Sequence, residues 1–171
     1  MEKLIINAFG PDKLGLVSKI SKVILSFNGN IENSKMILLE SDFTILMLIN
    51  IEKKNIRNLK EKLKDINDLK ISFKETNPKE NNMKYINYSF SITVADNEGI
   101  IYLYSNLFKK NQINIENMET EINNAPISGF PMFTMKSLLN IPTDLNIINF
   151  KKDLKGIAQE NNIEYKLKCL E

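Results

Sequence analysis

The chain has 171 residues, 43% of them hydrophobic, and a net charge of +2, which is enough apolar material for one medium core or two small ones. Arg57 is the only arginine, Cys169 the only cysteine, and there is no histidine. These counts argue against arginine-based recognition of nucleic acid and exclude histidine-dependent nucleophiles, histidine-containing metal sites and an internal disulfide, so a reduced, cytoplasmic protein without a cofactor is expected.

In MEKLIINAFGPDKLG, Leu4, Ile6 and Ala8 alternate as in a half-buried strand. The apolar run is too short for a secretory leader and is stopped by Gly10, Pro11 and Asp12. Beyond this loop, Leu16, Val17, Ile20, Val23 and Ile24 recur at spacings of three and four, the mark of a helix with one buried face. Asp12 reads as its N-cap, Gly15 as part of its first turn, and Gly29 as the stop before a strand opening with NIEN at Asn30. The most apolar stretch, Met36 to Ile51, is interrupted by Glu40, Ser41 and Asp42, so it reads as two strands and a turn, not as a membrane span. Ile56, Leu59, Leu63 and Ile66 mark a second helix, and LKISF, 69–73, a closing strand.

The same order then recurs. NIEN returns at Asn114, 84 positions on, and at that offset Asp12 falls on Asp96 and Gly15 on Gly99. Leu4, Ile6 and Ala8 fall on Tyr88, Phe90 and Ile92, and the helix face on Ile100, Ile101, Tyr104, Leu107 and Phe108. FTILMLINI, 43–51, aligns with FTMKSLLNI, 133–141, at an offset of 90, which places an insertion within NNAPISGFPM. Ile147, Phe150, Leu154 and Ile157 repeat the second helix, and IEYKL, 163–167, the closing strand. Chance in a biased composition explains one tetrapeptide but not a whole order of motifs taken twice.

Each half therefore reads strand, helix, strand, strand, helix, strand. The expected fold is α+β: two tandem ferredoxin-like βαββαβ domains, each an antiparallel four-stranded sheet with two helices on one face. Residues 1–76 form the first domain, 77–84 a polar linker containing Pro78, and 85–171 the second. One face of each sheet is left over, to pack against the other sheet or another copy, so a homo-oligomer is among the expectations.

The paired pattern, the loop GPDKLGLV with its weaker copy ADNEGII, the strand starts NIENS and NIENM, and the segment SGFPMFTMKSLLNIP carry a resemblance to the ACT-domain family. Within that family the chain is similar to tandem-ACT regulators of the glycine cleavage repressor type. The resemblance implies a non-enzymatic regulator that senses a small amino acid, glycine among the candidates, between paired domains. It implies action through a protein partner, a transcription factor or an enzyme, without direct nucleic-acid binding and without a membrane. The ligand would lie near Asp12, Leu14, Gly15, Leu16, Val17, Asn30 and Ile31 in the first half, and near Asp96, Gly99, Ile100, Asn114 and Ile115 in the second.

Chemistry accompanies the pattern. A helix start offers free N–H groups to a carboxylate, a glycine lets the ligand approach, and an aspartate meets an ammonium. Asparagine at the next strand offers donor and acceptor together. In the second loop Asp96 is followed by Asn97 and Glu98 and not by a basic residue, so the first half is expected to be the better equipped. The insertion 123–131 is a candidate cover or an ordinary hairpin loop. Two other classes stand beside the sensor: a structural regulatory subunit of an amino-acid biosynthetic enzyme, and an acylphosphatase-like hydrolase. The hydrolase lacks a phosphate-gripping arginine, because Arg57 sits mid-helix.

Overall fold

The computed structural model describes residues 1–77, 84–95, 98–125 and 129–170. The chain divides into two compact units, Met1–Glu80 and Asn81–Glu171. Of the expected linker, residues 78–83 lie outside the described set.

The first unit runs β1 (Glu2–Pro11), α1 (Leu16–Ser26), β2 (Asn30–Leu39), β3 (Asp42–Ile51), a single 3-10 turn (Lys53–Asn55), α2 (Ile56–Lys64) and β4 (Lys70–Thr76). The second runs β5 (Tyr85–Ala95), α3 (Ile100–Lys110), β6 (Asn114–Asn124), β7 (Pro131–Pro142), α4 (Ile147–Glu160) and β8 (Glu164–Cys169). Each forms a four-stranded antiparallel sheet, in the orders β2-β3-β1-β4 and β6-β7-β5-β8. The chain is thus two βαββαβ ferredoxin-like domains in tandem. Among the described residues no helix is long and apolar enough to cross a membrane.

Strand alternation gives each sheet a helix-covered face and an open face. In the first unit Leu4, Ile6, Ala8, Ile45, Met47 and Ile49 are buried beneath Leu16, Ile20 and Ile24 of α1 and Leu59 and Leu63 of α2. Val17 and Val23 fall off this stripe: Val17 is exposed and Val23 only flanks the core. The second core is more aromatic, with Phe90, Tyr104, Phe108 and Phe150 packed edge-on or tilted at centroid distances of 5.2–6.3 Å.

The helix ends correct one expectation. After α1 it is Asn28, not Gly29, that turns left-handed (φ 56). Asn28 N–H donates to Leu25 O and Gly29 N–H to Ile24 O, which closes the helix in a Schellman motif. Gly29 is needed because a Cβ there meets Ile24 Cγ2 at 2.8 Å. The second unit makes the same closure with Gln112 left-handed and with buried Ile113 in place of the glycine.

The insertion lengthens the β6–β7 hairpin. Where β2 and β3 join through Glu40 and Ser41, β6 and β7 are joined by residues 125–130. That loop closes on itself, with Ala125 N–H donating to Phe130 O and Gly129 N–H to Ala125 O. Residues 126–128 are outside the described set.

Candidate functional site

The sequence-predicted site residues fall into two groups at two ends of each sheet. The first group follows β1. Asp12 N–H donates to Ser41 O at 2.9 Å, which ties the loop to the β2–β3 turn. Gly15 then adopts φ +88 and stands as the residue before α1, and Gly99 does the same before α3 at φ +82. A Cβ on either glycine meets nothing within 4 Å. The glycines are therefore required by left-handed backbone and not by close helix–strand packing.

This geometry overturns the capping role expected of Asp12. Among the described residues no side chain caps α1 or α3, and neither helix has an acidic residue in its first turn. Asp96 lies outside the described residues. Leu16 N–H reaches Lys13 O at 3.4 Å and Lys19 N–H reaches Gly15 O at 2.9 Å, but Val17 and Ser18 N–H have no backbone acceptor among the described residues. α4, by contrast, is closed in the ordinary way: the Asn146 side chain accepts from Ile148 and Asn149 N–H, both at 3.1 Å. The first helix of the first unit, α1, thus begins with open N–H groups at the positive end of its dipole, an arrangement that suits an anionic group.

The side chains around the loop divide sharply. Leu14 stands entirely in solvent beside Gly15 and Val17 is also exposed, whereas Leu16 and Ile100 are core residues whose side chains face away from the loop. Lys13 reaches over to the Asp68 carboxylate, and Lys19 Nζ lies 3.8 Å from it. The hydrogen bond from Lys13, reinforced by the charges of Lys13 and Lys19, holds the Asp68 carboxyl below its usual value. Gly10 allows this approach, because a Cβ there would run into the Asp68 carbonyl and Leu69. The first loop is therefore braced by the α2–β4 turn. At the aligned positions of the second unit Gly10 is replaced by Val94 and Lys19 by Leu103, so this brace is a property of the first unit.

The second group sits where β2 and β6 begin. Both NIEN copies carry a β-bulge at the same place: pairing with β3 skips between Ile31 and Asn33, and pairing with β7 between Ile115 and Asn117. Asn30 faces Asn50 across the sheet and Asn114 faces Asn140. Ile31 and Ile115 are half-buried and pack against their cores.

Around the second bulge the polar groups satisfy one another. Asn114 Nδ2 donates to Asn140 Oδ1 at 2.9 Å, and Asn140 Nδ2 donates to Asn87 Oδ1 at 2.9 Å and to Glu116 Oε2 at 2.8 Å. In the first unit Lys3 occupies the place of Asn87 and draws Glu32 to itself at 2.8 Å. That leaves the Asn30 and Asn50 amides without a partner among the described residues. Asn50 and Asn140 were not among the predicted site residues. Their signal was present as the shared asparagine in LINI and LLNI, but only the register joins it to NIEN.

The structure does not bring the two groups together within a unit. Asn30 shares a row with Asn50 and Lys3, while the loop departs from Pro11, eight residues along β1, or about 26 Å at ~3.3 Å per residue. One small ligand cannot touch both ends of the same domain.

Residues 2–74 match the ACT domain family model. Over 164 residues the chain is 24% identical to the glycine cleavage system transcriptional repressor of Escherichia coli (strain K12), covering 94% of this chain and 86% of that protein. A UPF0237 protein of Methanococcus maripaludis is 36% identical over 53 residues, 31% of this chain and 59% of its own. Among solved structures, an unknown protein from Galdieria sulphuraria superimposes with a TM-score of 0.86 over 99% of both chains at 23% identity. A provisionally assigned glycine cleavage system transcriptional repressor gives 0.72 over 99% of this chain and 98% of its own, at 19% identity. Both structural likenesses speak for the fold. Residues 2–74 match the ACT domain model, the second unit repeats the same fold, and the chain is similar over most of its length to the glycine cleavage system transcriptional repressor.

Proposed function

We propose that this protein is a non-enzymatic cytoplasmic regulator whose domains, 1–76 and 85–171, sense a small amino acid. The observation that carries this reading is the left-handed glycine that opens the first helix of each unit, Gly15 and Gly99, with no side-chain cap on either among the described residues while α4 is capped. An uncapped helix start is costly to leave bare and well matched to a carboxylate. Asp12 at the first loop supplies a partner for an ammonium, and the loop is held in place by Lys13 and Asp68. The likeness to a named transcriptional repressor of the glycine cleavage system supports a protein partner, and glycine as the first ligand to try.

The test is thermal unfolding of the full chain against a panel of amino acids, glycine first. A ligand at 100 times its dissociation constant stabilises by about 2.7 kcal/mol, so a rise of several degrees is expected. It should disappear on Asp12→Ala. No shift with any amino acid at millimolar concentration would refute direct sensing.

A further inference from the structure

On the open face of the first sheet lies a groove of about 410 Å³, within the range of small-molecule sites, roughly 300–1,000 Å³. Ile5, Leu46 and Leu48 form its floor, Lys3 and Thr76 stand at one end, and Asn33 stands on its β2 side. Past Leu46 the face turns polar, with Asn7 and Ser72 in the row of Leu46 and Thr44 in the row after. The apolar floor is therefore short, which suits one ligand side chain and not the long stripe of a docked helix.

At the Lys3 end the groove meets an ion pair. Lys3 Nζ and Glu32 Oε2 are 2.8 Å apart, with side chains 35% and 29% exposed, and Asn50 lies in the same row as Lys3. A half-exposed pair contributes little by itself, so opening it to a ligand costs little. A cation and an anion side by side match a molecule that carries both charges close together. The second unit shares neither part: Asn87 replaces Lys3, Ser89 replaces Ile5, Lys136 replaces Leu46, and Asn140 holds Glu116. Nor does the second unit of another copy fit the groove. Its open face would lay one leucine, Leu138, with Ser89, Ser91 and Thr134 on the aliphatic floor. Its glutamates have partners beside them, Asn117 Nδ2 at 3.2 Å from Glu119 and Lys136 Nζ at 3.8 Å from Glu121.

We propose that this groove binds a free α-amino acid with a bulky apolar side chain. The side chain lies on Ile5, Leu46 and Leu48, the α-carboxylate meets Lys3 and the Asn50 amide, and the α-ammonium meets Glu32. A zwitterion answers both members of the ion pair. A plain carboxylic acid sets its carboxylate beside Glu32 with no cation to offer, and a plain amine leaves Lys3 unanswered. The groove goes beyond the helix start at Gly15, from which it is separated along the first sheet, so either site fills without the other.

The experiment titrates the 15N-labelled full chain with L-leucine and follows the backbone amide resonances. Comparators are N-acetyl-leucine, which lacks the ammonium, and leucinamide, which lacks the carboxylate. Expected are saturable shifts at Ile5, Leu46 and Leu48 with L-leucine, binding about tenfold weaker for each comparator, and a loss of about tenfold on Leu48→Ser. Glu32→Gln should abolish the preference for leucine over N-acetyl-leucine, and Lys3→Gln the preference over leucinamide, changes of selectivity that unfolding cannot mimic. Absence of saturable shifts, equal binding of leucine and both comparators, or indifference to Leu48→Ser overturns the proposal. So does light scattering that shows a ligand-free dimer dispersed by Leu48→Ser, which puts a second copy in the groove. Leucine binding lost on Asp12→Ala and kept by Leu48→Ser belongs to the helix start, and it removes the groove while leaving the sensor. Binding lost on Leu48→Ser and kept by Asp12→Ala does the reverse.

Discussion

Gly15→Ala isolates the backbone requirement at the start of α1. The glycine holds φ +88, and a methyl group there meets nothing within 4 Å, so the substitution adds no clash and its cost is conformational. Holding an L-residue in the left-handed region costs roughly 1–2 kcal/mol. Against this, alanine narrows the unfolded ensemble, which offsets about 0.4–1 kcal/mol. The net expectation is a loss of about 1 kcal/mol, or about 4–8 °C in the transition of a domain of this size. Asparagine tolerates the left-handed region better, so Gly15→Asn should recover part of the loss. Urea titrations of the three proteins, with calorimetry to assign the transition, measure both effects. The reasoning is refuted if Gly15→Ala matches the parent within about 0.3 kcal/mol, or if the asparagine variant is no better than alanine.

Tyr104→Phe should stabilise the second unit, because the Tyr104 hydroxyl is buried without a hydrogen-bond partner among the described residues, a situation that costs about 1–3 kcal/mol. Burial, then the Tyr165 hydroxyl, push its pKa up to about 12, so its contribution is lost as pH rises through the unfolded value toward 12, and the variant should unfold less readily at alkaline pH. Asp68→Asn should flatten the acid side of the first unit's stability curve: a carboxyl held low by Lys13 contributes stability above its unfolded pKa that is lost as pH falls below about 4, and equal acid sensitivity of variant and parent would sink this. Asn140→Ala leaves Asn114, Asn87 and Glu116 without their shared partner and should cost about 1–3 kcal/mol in a urea titration, whereas Asn50→Ala, whose amide has no partner among the described residues, should cost far less.

The fold was legible because two independent readings of one pattern had to agree. Leu16, Ile20 and Ile24 with Ile100, Tyr104 and Phe108 mark the same helix face twice, and no strand reading fits both. The cap at α1 was misread for a physical reason. An aspartate three residues before a glycine fits an N-cap by composition, but the glycine's left-handed turn moves the helix start past it, leaving Asp12 tied to Ser41. Sequence marks that a glycine is present; only the dihedral angle tells whether it is there for conformation, as at Gly15, or for space, as at Gly10 and Gly29. The two groups of predicted residues lie at opposite ends of the first sheet because α1 carries the chain back along the sheet before β2 begins, a separation that spacing along the sequence does not reveal. Asn50 and Asn140 were invisible as site residues because their meaning depends on who stands opposite, which register alone supplies.

The repeated bulge behaves like a reading frame written in side chains. Asn30 points to the open face, and with strict alternation Glu32, Ser34 and Met36 would follow it. The extra residue shifts the phase, so that Asn33, Lys35 and Ile37 point outward. Any substitution at Glu32 leaves that frame intact, but removal of the residue would turn the whole outer strand over, sending Lys35 toward the helices and Met36 to the open face. Because Glu116 keeps the same phase in the second unit, the two halves differ in what each position says but not in where the strand begins to count.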